Sequence, residues 1–344
     1  MELHAVDKIK KRILITGASG FIGGYLVREA LKMGYEVWAA VRKTSRVDDL
    51  KSLGVHLVEI DYTSISTVSR QANSLAPKED EPAWHLVVHN AGITKTNRPE
   101  LFEEVNANQT RHLAEGLANA TISPDRFILI SSLSSYGPSQ EEGKPISIYD
   151  RQQPNTLYGK SKKKAEFYTE NSTLSYTIML LTGVYGPGDK DYLMALQSVN
   201  KGFDFVTGLT PQKLTFIYGE DVARAVMSVI EAPQAVNKRY MLTDGDVYTD
   251  TEFGRMMQRL LGKKRVIHAR IPLPIVWLAC QIGELVSKIT GKITPLNRDK
   301  YSILKQRDWT CDDSLIKELG FVPKTCLEEG LKKTIEAARS EGLL

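Results

Sequence analysis

The sequence predicts an α/β fold: a doubly wound parallel sheet followed by a smaller C-terminal region of mixed α/β character. Three observations carry that reading. Over the first half of the 344 residues, short and almost wholly apolar runs alternate with amphipathic stretches. A strand that is apolar along its whole length is covered on both faces, as in a parallel sheet with helical crossovers. A glycine-rich turn stands directly behind the first run, and the alternation fades after Pro187.

Taken in order, strands are expected at RILITG (12–17), YEVWAAVR (35–42), VHLVEID (55–61), HLVVHNAG (85–92), RFILISS (126–132) and SYTIMLLTGVYG (175–186). Helical periodicity fills YLVREALKMG (25–34) and NANQTRHLAEGLANA (106–120) between them. The expected division is a first domain over 1–186 and a second over 187–344, with 213–245 returning to the first. Near the end, IPLPIVWLAC (271–280) is an apolar run of ten residues with prolines suited to a helix start, too short to cross a bilayer. Its first reading is a buried helix of the smaller domain; the sharper one is an apolar wall or interfacial helix for a lipid-like molecule.

Composition excludes several classes of function. With 45 basic and 41 acidic residues the net charge is only +4, and no arginine-rich or aromatic-basic tract is present, so nucleic acid is not an expected partner. Cys280, Cys311 and Cys326 form no CxxC pair and are too few for a disulfide framework, which points to a reducing compartment. The leader MELHAVDKIKK lacks an apolar signal core, so a cytoplasmic location is expected. His85 and His89 stand four apart on a strand, about 13 Å, too far to share one metal, and no metal site is expected. Cys311 reads as structural, having no histidine near it in sequence.

Chemistry enters at TGASGFIGGYLV, with Gly17, Gly20 and Gly23 between a strand and a helix. Glycine lets the backbone turn tightly and approach a pyrophosphate, whose charge then sits on the positive N-terminus of the following helix. A dinucleotide is the expected ligand, and the sheet is therefore Rossmann-like. An NAD site usually ends its second strand in an acid, about 20 residues on, that accepts from the ribose 2′-hydroxyl. Here AAVRKTSR supplies Arg42, Lys43 and Arg46, which suit a 2′-phosphate, so NADP(H) is expected over NAD(H). In LYGKSKKKAEFY, Tyr158 and Lys162 are four apart and share one helix face. A tyrosine acting near neutral pH needs its pKa, ordinarily about 10, brought down, and a neighbouring ammonium has the right sign. The strand RFILISSLSSYG ends in serines that could hold a substrate oxygen beside the phenol.

Together these segments resemble the short-chain dehydrogenase/reductase superfamily, in its extended branch of epimerase/dehydratase and 3β-hydroxysteroid dehydrogenase-like enzymes. TGASGFIG matches that branch's TGxxGFIG, and YGKSK its YxxxK. The resemblance covers residues 12 to about 235. It implies that Tyr158 exchanges a proton with the substrate oxygen, that Ser132 holds that oxygen, and that Lys162 orients the cofactor ribose while lowering the tyrosine's pKa. It also implies cofactor contacts from Gly17, Ser19, Gly20, Phe21, Ile22 and Gly23 in the turn, and from Asp61 and the adjacent Tyr62 at the adenine. Asn90, Ala91 and Gly92 in VVHNAG and Val184 in VYGPGD fall where the branch approaches the cofactor. Lys160, Lys163 and Lys164 are expected to stay solvated, and a homodimer built on this helix is the expected assembly.

The sequence departs from the nucleotide-sugar members of the branch. Leu180 and Gly183 stand at the positions of their R-x-x-N, and Leu214 and Thr215 replace the Arg and Asp of a later RDF, with Lys213 as the nearest compensating cation. The expected activity is therefore hydride transfer between NADP(H) and a small hydrophobic carbonyl or alcohol. A nucleotide-sugar epimerase or dehydratase with tightly held NAD(P) is the alternative. A non-catalytic cofactor sensor would have no use for Ser132, Tyr158 and Lys162 together.

Overall fold

The computed structural model describes residues 10–141 and 143–344; the leader before Lys10 lies outside them. In chain order the first half runs β1 (Arg12–Thr16), α1 (Phe21–Lys32), β2 (Glu36–Ala40), α2 (Asp48–Ser52), β3 (His56–Val58), α3 (Ile65–Leu75), β4 (Leu86–His89), α4 (Gln109–Ala118), β5 (Arg126–Ser132), α5 (Leu157–Glu170) and β6 (Tyr176–Leu181). The second half continues with β7 (Gly183–Tyr185), α6 (Asp191–Asn200), β8 (Phe203–Thr207), β9 (Lys213–Leu214), β10 (Phe216–Tyr218), α7 (Gly219–Glu231), β11 (Lys238–Leu242), β12 (Tyr248–Thr249) and α8 (Asp250–Leu261). It closes with β13 (Ile267–Ile271), α9 (Leu273–Thr290), α10 (Arg298–Leu304), β14 (Asp308–Trp309), α11 (Ser314–Glu318) and α12 (Leu327–Ser340).

Seven parallel strands form the central sheet in the order β11-β6-β5-β4-β1-β2-β3. Each interior strand alternates its side chains between two cores, which is why it must be apolar throughout. Ile13 and Ile15 of β1 and Ile128 and Ile130 of β5 pack towards α1 and α7. Leu14, Phe127 and Leu129 pack the other way, towards α3, α4 and α5. Helix α7 lies against α1, and β11 pairs with β6 at the sheet edge. A third core, rich in aromatics, joins Tyr185, Phe216, Phe253 and Leu331 from four distant parts of the chain. There the Phe216 and Phe253 rings stack with centroids 4.9 Å apart.

The run at 271–280 does not behave as a buried helix. It is the start of α9, 18 residues long, of which only Val276, Cys280 and Ser287 are buried. The helix is longer than the ten-residue run suggested, and by length and composition alone it meets the minimum for a membrane-crossing helix. The segment expected as one helix from 106 also differs: a π-helical stretch, Phe102–Asn108, precedes α4.

Candidate active site

The site is assembled where the chain order reverses, between the C-terminal ends of β1 and β4. Gly17 leaves β1 with φ +66°, and a Cβ there would stand 2.9 Å from the Ala91 nitrogen. A Cβ on Gly23 would fall 2.1 Å from the Gly17 carbonyl oxygen, so α1 packs on the turn only because that side chain is missing. Gly20 is the N-cap of α1, with no side-chain cap and no acid in the first turn, which leaves the helix N-terminus open to an anion. These features fit a dinucleotide pyrophosphate. Opposite them, the Thr16 hydroxyl accepts from the Asn90 and Ala91 amides at 3.1 and 3.0 Å and lies 2.8 Å from His89 Nδ1. With both acceptor positions filled, Thr16 donates to Nδ1, and His89 Nε2 then donates to Thr110 at 2.9 Å. Burial and, secondarily, Lys162 hold His89 down at about 3, so it is a neutral strut.

At the exit of β2, Arg42, Lys43 and Arg46 are exposed, and none has an ion-pair partner among the described residues. Lys43 lines a cavity of about 660 Å³ together with Asp61, Tyr62, Asn108 and His112. Arg42 stands outside that lining; its amide is tied to Ser45 Oγ at 3.0 Å. The Asp61 carboxylate accepts from the Thr63 amide at 3.0 Å, and the Thr63 hydroxyl and amide hold it below the usual carboxylate range.

Tyr158 is carried on α5, whose first turn fits closely against the end of β5. Thr156 caps the helix, accepting from the Gly159 amide at 2.9 Å. A Cβ on Gly159 would lie 2.2 Å from the Ser134 carbonyl oxygen, so glycine lets the helix press against the segment that follows Ser132. Ser132 Oγ accepts from the Ser134 amide at 3.2 Å and faces the Tyr158 phenol. One turn along, the Lys162 ammonium is buried and donates to the Ile130 carbonyl at 2.6 Å. Burial draws Lys162 down to about 8, against the pull of Glu166. Tyr158 is pushed up to about 12, mainly by burial, while Ser132 lowers it and Glu166 adds to the rise. The expected lowering by Lys162 is not seen here: burial and Glu166 raise the phenol, and Ser132 is the group that lowers it. Of the remaining lysines, Lys160 and Lys163 are exposed, and Lys164 pairs with Glu103.

Three residues missed in the sequence support this arrangement. Glu166 is fully buried and accepts from Gln152 and Arg239 at 2.6 and 2.7 Å and from Ser131. Its spacing, four beyond Lys162, was the available signal. Asn106 bonds both the amide and carbonyl of Ile93, at 2.8 and 2.9 Å, and Ser161 at 3.0 Å, fixing the loop after β4. Asp299 accepts from the Leu157 amide at 2.7 Å, at the start of α5.

The departures at the substrate end have structural counterparts. Leu180 is fully buried in the core, and a Cβ on Gly183 would meet the Tyr192 hydroxyl at 2.3 Å. Thr215 donates to the Trp309 carbonyl at 2.9 Å. Lys213 is exposed, with Asp308 3.8 Å away, and Val184 packs beside the first core.

Residues 13–242 match the profile of the NAD dependent epimerase/dehydratase family. UDP-glucose 4-epimerase of Vibrio cholerae is 28% identical, over 96% of both chains. Ceramide reductase of Caulobacter vibrioides is 26% identical, also over 96% of both. Among solved structures, UDP-glucose 4-epimerase of Thermotoga maritima with UDP-glucose superposes with a TM-score of 0.75 at 22% identity, covering 96% of this chain and 99% of its own, a likeness of fold. With the family match spanning the glycine turn, the serine-bearing strand end and the Tyr158–Lys162 helix, the chain belongs to the NAD dependent epimerase/dehydratase family, within the extended short-chain dehydrogenase/reductases, and is an NAD(P)-dependent enzyme.

Proposed function

We propose that the protein is an NADPH-dependent reductase of a hydrophobic ketone or aldehyde. The observation that carries the cofactor half is the exit of β2, where Arg42 and Lys43 are exposed and have no carboxylate partner among the described residues, at the place an NAD site keeps its acid. Gly17, Ser19, Gly20, Phe21, Ile22 and Gly23 would hold the pyrophosphate, and Asp61 and Tyr62 the adenine. Asn90, Ala91, Gly92 and Val184 would line the nicotinamide side. When bound, NADPH supplies the hydride. Ser132 holds the carbonyl oxygen, and Tyr158 gives its proton to that oxygen as negative charge develops there. A phenol at about 12 keeps its proton at neutral pH, which suits donation and hence the reductive direction. Lys162, charged below about 8, would orient the ribose.

The substrate half rests on the missing sugar-diphosphate contacts at Leu180, Gly183, Leu214 and Thr215, and on the likeness to ceramide reductase. A second reading, a nucleotide-sugar epimerase, draws on the 28% identity to UDP-glucose 4-epimerase. Purification separates them. The reductase reading expects protein free of bound nicotinamide that consumes NADPH only with long-chain or polycyclic carbonyl compounds. Protein that arrives loaded with NAD(H) and interconverts UDP-sugars would refute it.

A further inference from the structure

The outward face of α9 is apolar. Ile275, Leu278, Ile282, Leu285, Val286 and Ile289 are 42–76% exposed. At 3.6 residues per turn they project within about 100° of one another. The opposite side is the packed one: Val276, Cys280 and Ser287 are buried, and a Cβ on Gly283 would lie 2.2 Å from the Leu296 carbonyl oxygen. A helix so fixed along one flank cannot span a bilayer, because the polar backbone of the 291–297 loop would go with it. It can lie on one.

Charge identifies the surface it would meet. Between residues 263 and 307 stand ten lysines and arginines against two acids, Glu284 and Asp299, so this segment carries +8 of a chain whose total is +4. Lys264, Arg265 and Lys292 are exposed and have no ion-pair partner among the described residues. Trp277 is 48% exposed beside the stripe, as aromatic side chains are at a lipid interface. A second apolar strip precedes the helix: Phe203 and Phe205 of β8 stack on one another, and Ile267 of β13, paired with Phe203, is exposed too.

We propose that α9 and its basic flanks dock this enzyme on an anionic bilayer, the helix lying in the plane of the headgroups. The docked helix is hitched to the crevice. Asn97, in the loop after β4, donates to the Gly291 carbonyl at the end of α9 (2.7 Å), and Asp299, just beyond, holds the Leu157 amide next to Tyr158. The surface stands on its own observations, whether or not the reductase reading holds.

Vesicle flotation of the full chain tests this, with phosphatidylcholine alone or mixed with phosphatidylglycerol, and without cofactor or substrate. Binding to the anionic vesicles, weakened by salt, is expected. A Leu278→Gln/Ile282→Gln/Ile289→Gln variant should bind at least about tenfold more weakly, with unchanged melting temperature and NADPH affinity. Lys264→Gln/Arg265→Gln/Lys292→Gln should lose the preference for anionic lipid. The proposal is overturned if wild type fails to float with anionic vesicles at low salt, or if the triple glutamine variant floats equally well. It is also overturned if sedimentation shows the stripe covered by a second copy of the chain, with the variant monomeric.

Discussion

At the scale of single residues, the environment of Tyr158 and Lys162 makes two predictions. Tyr158→Phe removes one hydroxyl from a site it does not hold together, so the protein should fold and bind cofactor normally while turnover falls about 10²–10⁴-fold. Stopped turnover with intact NADPH binding is the expected pair of results; unchanged turnover would sink the proposed role. The folded pKa of Lys162, about 8, lies below its ordinary 10.5, so its charge is present below pH 8 and is lost as pH rises through 8. NADPH affinity should therefore weaken above about pH 8, and a Lys162→Met protein should be weak throughout and lack that inflection. The sign for stability is the reverse. Burying the charge costs the fold at low pH, and that cost disappears between about 8 and 10.5. Urea titrations of wild type against Lys162→Met across that window check it. Much of this site was legible in the sequence, since Tyr158 and Lys162 are neighbours on one helix and Ser132 ends a strand. The direction of the Tyr158 shift was not, because burial is a property of the packed crevice, which spacing does not disclose.

At the scale of elements, the position of α5 is set by close approach at one end and a carboxylate at the other side of its first turn. Gly159→Ala would put a Cβ 2.2 Å from the Ser134 carbonyl oxygen and must push the helix from the β5 end. About 1–3 kcal/mol of stability should be lost, read as a drop in urea midpoint, with turnover falling further than stability alone explains. Asp299→Asn should cost about 1 kcal/mol through the weakened bond to the Leu157 amide, and Asp299→Ala more. The runs of β1, β4, β5 and β6 were readable because a strand buried on both faces can only be apolar; β3, at the opposite edge of the sheet, has His56 and Leu57 exposed and was read from its short valine- and leucine-bearing run alone. β11 was not, since it is an edge strand opening with Lys238 and Arg239, and Arg239 turns inward to Glu166. The run expected at 175–186 divides at Thr182, whose hydroxyl donates to the Leu242 carbonyl at 2.9 Å. The Asp299 contact joins residues 142 apart, a distance no periodicity bridges.

At the scale of the whole molecule, a nucleotide-binding crevice and a basic, apolar C-terminal surface meet through the 291–299 segment. The glycine turn pointed to a dinucleotide, whereas for α9 a buried and an interfacial helix both stayed open, because an apolar run gives its period but not which side is covered. That periodicity is shared by a helix whose apolar stripe faces the core and one whose stripe faces out. The central claim, that the β2 exit selects a 2′-phosphate, is tested most directly by titrating NADPH and NADH into wild type and into Arg42→Ala/Lys43→Ala. The account predicts that wild type binds NADPH at least about tenfold more tightly, and that the double variant loses this preference while keeping its NADH affinity. Tighter binding of NADH by wild type, or a preference that survives the double substitution, would contradict it.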